Sequence, residues 1–495
     1  MYCALKTATL SGIEALPVEV QVHIASGLPA FHIVGMGDVA VKEARQRVVS
    51  ALKSCGFSVP CSCITVNLAP ALLHKHGTGF DLAMALGILI ASGQAHIPDH
   101  DQLLVIGELG LRGQLSSVDG IVSYARLARE KRLTLLTCQP EQLDGILACD
   151  TISINHLSEL GELKPSRTSG ITGREAPAQG VSDYAEVVGQ AQAIRALSIA
   201  AAGQLNVLLI GPPGTGKTML ASRLPSILPP MDEQEFLETA LVRSIAGQLL
   251  KQSAAQRPFR NPHHSATTVG VVGGGTPIRP GEITLAHNGV LFLDEMPQFS
   301  SATLQSLRQP LEEGQVRIVR AQETVTLPAR VMLVGAANPC PCGYFGDKEK
   351  ACRCSEPDIR HYQNRIGGPL MDRFDMILYA ARPPVAGLFD ERDEERQSSA
   401  ELRCQVMRAR EFAIGRGAAA VREMQRGELC SAEQIEPGAL RCIRRGAERL
   451  QLSPRALVRV LRVARVIADM EQLAQVKEEH IIEALSYRVS AFERL

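Results

Sequence analysis

Apolar positions along this chain recur with two periods, and the change from one to the other divides it. In the first third, short alternating runs (VEVQVHIA, CITVNLA, LLVIGEL) predict strands. Longer amphipathic stretches over Val39–Ser54, Asp81–Ser92 and Ile121–Lys131 predict helices. Gly110–Gly113 (GLRG) reads as a hairpin turn. Residues 1–163 are therefore expected to form a mixed α+β domain. Residues 164–182 (KPSRTSGITGREAPAQGVS) have no periodicity and are rich in Ser, Gly, Pro and Thr, which predicts a linker. Over 183–384, strand, glycine-rich loop and helix repeat, the pattern of an α/β domain with a largely parallel sheet. Residues 385–495 open on a mixed-charge run, Asp390–Arg396 (DERDEER), expected to be a solvated helix or loop. From about Ser398 the pattern is helical to the end and predicts a helical bundle. No internal repeat or low-complexity tract is present.

The chemistry concentrates in the α/β block. Gly211, Pro212, Pro213, Gly214, Thr215, Gly216, Lys217 and Thr218 spell GPPGTGKT, between an apolar run at 205–210 and a helix-like MLASRL. This is G-x-x-x-x-G-K-[ST] in the strand–loop–helix setting it requires. Glycines let successive backbone N–H groups face phosphate oxygens, and the helix that follows adds its positive end. Lys217 would reach the β- and γ-phosphates and Thr218 would ligate Mg²⁺. A second apolar strand, Val290–Leu293, ends in Asp294-Glu295. Asp294 suits the metal, and Glu295 suits polarising an attacking water. The bland alternative is an N-cap for the next helix. A third apolar strand, Val331–Ala336, ends near Asn338, an amide placed to orient that water. Phosphoryl transfer by these parts also calls for an arginine at the γ-phosphate. Arg373, in PLMDRFDMIL, is the candidate, the alternative being a local ion pair with Asp372 or Asp375.

With these residues in place, the chain resembles the Mg-chelatase-like AAA+ proteins of the ComM/YifB family, over nearly its full length. The resemblance rests on GPPGTGKTMLASRL, RPFRNPHHSAT (257–267), GEITLAHNGVLFLDE (281–295), NPCPCGY (338–344), LMDRFD and LSPRALVRVLRVARVIADM (452–470). It implies an α/β fold: an AAA+ P-loop ATPase core with an N-terminal α+β Lon-protease-like domain and a C-terminal helical lid domain. It further implies a homo-hexameric ring with ATP and Mg²⁺ at subunit interfaces. By position, Asn338 becomes the first sensor, Arg373 the finger that reaches a neighbour's ATP, and Arg455 the second sensor. The implied role is a DNA helicase that promotes branch migration during natural transformation and homologous recombination, acting on single-stranded and branched DNA.

The N-terminal block resembles the Lon protease domain in GTGFDLAMALGILIASG and IGELGLRGQLSSVDG. A Lon-type site needs a Ser nucleophile and a Lys base. The resemblance puts Gly79 and Val122 at those positions, with Ser116-Ser117 nearby, so it implies a scaffold without peptidase chemistry, used for assembly or partner binding.

Three further features stand out. Over 312–330, VRIV and TVTL flank RAQE and predict a β-hairpin inserted before the third core strand. Arg317 and Arg320 on it would contact DNA phosphates without reading sequence; the alternative is two solvated arginines. Cys340-x-Cys342 and Cys352-x-Cys354 can supply four thiolates to a tetrahedral Zn²⁺, with His361 as a spare ligand. The phosphate loop is distant in sequence, so loss of that zinc is expected to harm unwinding more than ATP binding. Cys61-x-Cys63 and His263-His264 are expected to be structural.

Composition narrows the setting. Lys+Arg and Asp+Glu both number 52, so charge neither supports nor excludes nucleic acid; a pore needs only local basic loops. Aromatics are 4% with no Trp, against a platform for stacking bases. The longest apolar run, Phe80–Ala91, contains Asp81 and falls short of a membrane span. The N-terminus has no signal-like pattern. An odd thirteen cysteines, scattered, suit a reducing, cytoplasmic setting. A chelatase-type ATPase that remodels a protein partner is the competing expectation, and an ATP-dependent protease is disfavoured by Gly79 and Val122.

Overall fold

The structure, a computed structural model, describes residues 1–171, 182–248, 256–320, 324–347, 349–382, 396–417, 421, 424, 426–431 and 433–488. β1 (Tyr2–Ser11) and β2 (Glu14–Ala25) pair antiparallel along their length, Tyr2 opposite His23 and Ser11 opposite Glu14. β3 (Ala30–Val34), β4 (Cys63–Ala69) and β5 (Leu103–Val105) extend this sheet, and β6 (Glu108–Leu109) with β7 (Leu115–Ser116) forms the hairpin expected around Gly110–Gly113. β8 (Thr134–Thr137), β9 (Asp150–Ser153) and β10 (Pro165–Arg167) complete eight strands in the order β10-β9-β8-β5-β1-β2-β4-β3.

The three helices of this region lie at Val39–Ser54, Asp81–Ala91 and Ile121–Lys131, within one residue of the sequence reading. The second is buried almost all round. A Cβ on its Gly87 would come within 2.6 Å of Val22, so glycine is what lets the helix lie against β2. Its buried Asp81 accepts two hydrogen bonds from Arg47, at 2.6 and 2.9 Å. Burial still outweighs that partner and pushes the carboxyl up to about 6.

One strand goes unforeseen and one expectation needs correction. β1 escapes the hydrophobic pattern because part of its buried face is polar: Thr7 and Thr9 are fully buried beside Leu5 and Ala8. The stretch expected to be a linker begins inside the sheet, because β10 pairs antiparallel with β9, Pro165 opposite Ile152. Thr168 then donates to Leu147 O at 2.7 Å and accepts from Cys149 N at 3.0 Å. Short Ser/Thr-rich segments can make such an edge through hydrogen bonds alone, which composition does not reveal. The remainder of that stretch, 172–181, lies outside the described residues.

The second sheet is parallel throughout. It contains β11 (Val207–Ile210), β12 (Phe259–Arg260), β15 (Val290–Leu293), β18 (Met332–Ala337) and β19 (Met376–Tyr379), in the order β12-β15-β18-β11-β19. Every residue of β11, β15 and β18 is buried, as a parallel sheet covered on both faces requires. Two hairpins project from it, β13 (Gly273–Gly274) with β14 (Arg279–Pro280), and β16 (Gln315–Val319) with β17 (Thr324–Pro328). The latter is the predicted hairpin, with Arg317 opposite Thr326.

Helices at Ser399–Gly415, Pro437–Arg449, Pro454–Met470 and Glu478–Ser486 form the C-terminal bundle. The first starts on a capping box between Ser398 and Glu401. Leu402, Val406, Val460 and Ile467 share one apolar cluster with Val207, Leu209 and Val334, so bundle and sheet pack as a unit. Of the charged run before it, residues 390–395 lie outside the described residues.

The N-terminal region docks on the core. Gly120 N donates to Ser244 O at 2.9 Å and Val122 N to Ser244 Oγ at 3.2 Å. A Cβ on Gly12, in the β1–β2 turn, would lie 2.9 Å from Thr326 O of β17.

Candidate nucleotide site

β11, β15 and β18 are neighbours in a parallel sheet, so their C-terminal ends share one edge, where such sheets bind ligands. That register brings the predicted residues together. Gly214 and Gly216 adopt φ of 78° and 80°, left-handed values that favour glycine. A Cβ on Gly211 would stand 2.3 Å from Ala380 O, just past β19. Lys217 opens the helix Lys217–Ser222, and its Nζ donates to Gly211 O (2.8 Å), Pro212 O (2.9 Å) and Asn338 Oδ1 (3.2 Å). Burial lowers this ammonium to about 8, while Asp294 and Glu295 oppose the fall. It therefore remains mostly protonated near neutrality. Thr218 Oγ1 donates to Asp294 Oδ2 at 2.7 Å, so two hard oxygens of the kind Mg²⁺ prefers lie side by side at the loop.

Glu295 follows in the left-handed region at φ 48°. The described structure adds a residue to which sequence assigns only a structural role: His264 Nδ1 stands 3.7 Å from a Glu295 carboxylate oxygen. It reaches there because β12 pairs with β15, so the turn after β12 flanks the end of β15. A strand of two residues leaves no hydrophobic pattern to suggest it.

Arg373 does not pair with Asp372 or Asp375. Its Nη2 donates to Glu312 at 2.5 Å, while Asp375 accepts from Asn206 N at 2.9 Å. The backbone beside Arg373 is braced by the bundle: Arg459 and Arg488 both donate to Phe374 O, at 3.0 and 2.7 Å. Arg455 is exposed in the first turn of Pro454–Met470. Arg459, one turn further and buried, escapes the sequence reading; an arginine on the apolar face of an amphipathic helix is the available signal.

Arg317 is exposed on β16, whereas Arg320 donates to Thr276 Oγ1 at 3.0 Å and so ties its hairpin to the β13–β14 turn. The residues between them and β17, 321–323, lie outside the described residues. Around Gly79 the nearest side chains are Ile106, Val118 and Tyr124, and Val122 is fully buried.

The four cysteines converge. Cys340, Cys342, Cys352 and Cys354 place their sulfurs within 4.8 Å of one another, with three separations of 3.4, 3.6 and 3.7 Å. A tetrahedron with Zn–S bonds of about 2.3 Å has edges of roughly 3.8 Å, so the set fits zinc. His361 is exposed and is not among the grouped ligands. Backbone N–H groups of Phe345, Cys342 and Cys354 point at the sulfurs of Cys340, Cys354 and Cys352, at 3.3, 3.4 and 3.4 Å. Burial raises the Cys342 thiol, but the N–H groups of Arg353 and Tyr344 and the neighbouring thiols outweigh it and lower it overall. All thirteen cysteines are free of disulfides, and among the described residues no helix is long and apolar enough to cross a membrane.

Residues 183–386 match the family described as magnesium chelatase, subunit ChlI; residues 20–141 match subunit ChlI of Mg-chelatase; residues 396–488 match its C-terminal region. A protein named YifB from Escherichia coli (strain K12) is 40% identical over 497 residues, 99% of this chain and 97% of its own. YifB of Salmonella typhimurium is 39% identical over 99% of this chain and 97% of its own. Competence protein ComM of Haemophilus influenzae is 40% identical over 96% of this chain and 95% of its own. The chain thus belongs to the Mg-chelatase ChlI-like family of AAA+ proteins, whose core implies an ATPase using ATP and Mg²⁺, and YifB and ComM are its full-length relatives.

Proposed function

We propose that the protein is an ATP-driven DNA motor: a homo-hexameric helicase that promotes branch migration, extending the pairing of incoming single-stranded DNA during natural transformation and homologous recombination. The observation that carries it is the convergence of Lys217, Thr218, Asp294, Glu295 and Asn338 on one sheet edge, in a chain related over its full length to a competence protein. In this reading the phosphate loop and Lys217 bind the β- and γ-phosphates, and Thr218 and Asp294 hold Mg²⁺, which would neutralise charge on the phosphates. Glu295 polarises the attacking water and Asn338 orients it. Arg373 acts on a neighbouring subunit's ATP and Arg455 serves as second sensor. For Arg373 to reach across, it must leave Glu312, so assembly and catalysis are linked.

The N-terminal region works in this proposal as a Lon-like scaffold without peptidase activity. Its grip on β17 next to Arg317 suits a role in holding the DNA-facing hairpin. The protein works in the cytoplasm.

Arg317→Ala combined with Arg320→Ala is expected to weaken DNA binding for every sequence. The slope of log K against log salt should fall by about 0.7 to 0.9 for each phosphate that is no longer neutralised. Arg317 should account for most of the effect, because Arg320 already spends a donor on Thr276. ATP hydrolysis without DNA should persist. Titrations at several salt concentrations check this, and an unchanged slope would move the DNA path off this hairpin.

The chelatase relationship favours a second reading, a motor that remodels a protein partner. Stimulation of ATP hydrolysis by DNA separates the two: the DNA motor requires it, and the remodelling ATPase does not.

A further inference from the structure

The cysteine loop is not remote from the phosphate loop. Gly343, between Cys342 and Tyr344, sits against Pro213: a Cβ there would lie 2.6 Å from Pro213 Cδ. Gly343 also has a φ of 86°, so two independent constraints keep this residue a glycine. Cys340 is buried two residues after Asn338, and Asn338 itself accepts from Lys217. Gln363 Nε2 donates to Pro339 O at 3.0 Å, closing the gap between them from the following helix, Glu356–Asn364.

The far side of the loop is held as well. Arg382 pairs with Asp347 and Glu349, both at 3.3 Å, and its guanidinium lies 5.6 Å from the Tyr344 ring centroid. Arg382 follows β19 closely, and Ala380 O in the same stretch packs on Gly211. The loop therefore touches the phosphate loop at Pro213 and shares with it the strand ends of β18 and β19. The segment from Cys340 to Cys354 is short of apolar side chains, so these polar contacts hold it and a cross-link among its cysteines would stiffen it further.

We propose that Cys340, Cys342, Cys352 and Cys354 bind one Zn²⁺ and that this site is a wall of the nucleotide pocket, holding Pro213 and Asn338 at the spacing ATP needs. Zinc binding to four thiols releases their protons to solvent and leaves four thiolate–metal bonds, with no change of oxidation state. The binding energy becomes local folding energy, and it is delivered through Gly343 to the phosphate loop. From sequence alone, loss of zinc is expected to harm unwinding more than ATP binding; with this contact, ATP binding is harmed directly as well. It rests on the reading of Gly211–Thr218 as the ATP site.

The test uses the full chain purified without chelator. Metal analysis should give about one zinc per subunit; less than about a tenth of an equivalent would overturn the metal site. Cys352→Ser with Cys354→Ser should lose the zinc and weaken binding of Mg²⁺ and a fluorescent ATP analogue about tenfold. Gly343→Ala keeps all four thiols, so it should keep the zinc and still weaken nucleotide binding about tenfold, whether or not the cysteine variant folds. Zinc retained with unchanged nucleotide affinity in Gly343→Ala would overturn the bracing role. Lys217→Ala, measured alongside, isolates the premise: if it too binds nucleotide normally, the ATP-site reading is what has failed.

Discussion

Glu295→Gln should bind ATP as tightly as the parent protein and hydrolyse it roughly a thousandfold more slowly, since only the group that polarises water is removed. Gln keeps the size of the side chain and its place in the left-handed turn after β15, so the fold should be undisturbed. Lys217→Ala should behave in the opposite way. It removes the one ammonium that lies between the loop carbonyls and Asn338, so ATP affinity itself should fall by at least about a hundredfold. Burial lowers Lys217 to about 8, and bound phosphate would favour its charged form again. Equilibrium binding and single-turnover hydrolysis, measured on both variants, check the pair. If both bind and hydrolyse like the parent, the nucleotide site is elsewhere.

The second large effect lies between subunits. Arg373→Ala should bind ATP normally and lose hydrolysis by about a thousandfold, the usual contribution of an arginine at the γ-phosphate. Mixing Arg373→Ala subunits with Lys217→Ala subunits should restore part of the activity. A mixed interface can join an intact phosphate loop from one chain to an intact arginine from the other. The geometry within one chain bears on this: Arg373 is spoken for by Glu312, and its neighbour Phe374 is clamped by Arg459 and Arg488. The backbone is thus held by the bundle and only the side chain is left to exchange partners. No recovery in mixtures shown to co-assemble would make Arg373 a residue of its own chain's structure.

The sequence makes legible what local chemistry specifies. The three N-terminal helices follow from their apolar spacing, and the phosphate loop from glycines at positions that prove to need left-handed φ. The β16–β17 hairpin follows from alternation on either side of a polar turn. What stays hidden depends on distance along the chain. Nothing near Arg373 announces Glu312, 61 residues away, and nothing near Cys342 announces that Gly343 rests on Pro213. Thr7 and Thr9 bury hydroxyls on a face that a hydrophobic pattern reads as mixed, so β1 escapes it. His264 reaches Glu295 only because a two-residue strand happens to border β15. The relation to YifB and ComM is legible from motifs, several of which form the loops around Lys217, Asp294 and Asn338.

Whether ATP hydrolysis at this site drives movement on DNA is decided most directly by strand separation. The substrates are a branched DNA and a linear duplex of the same length and composition, each with ATP, with a non-hydrolysable analogue, and with Glu295→Gln protein. ATP-dependent separation of the branched substrate is expected well above that of the linear duplex, and none with the analogue or with Glu295→Gln. Robust ATP hydrolysis that neither responds to DNA nor separates either substrate would contradict a DNA motor.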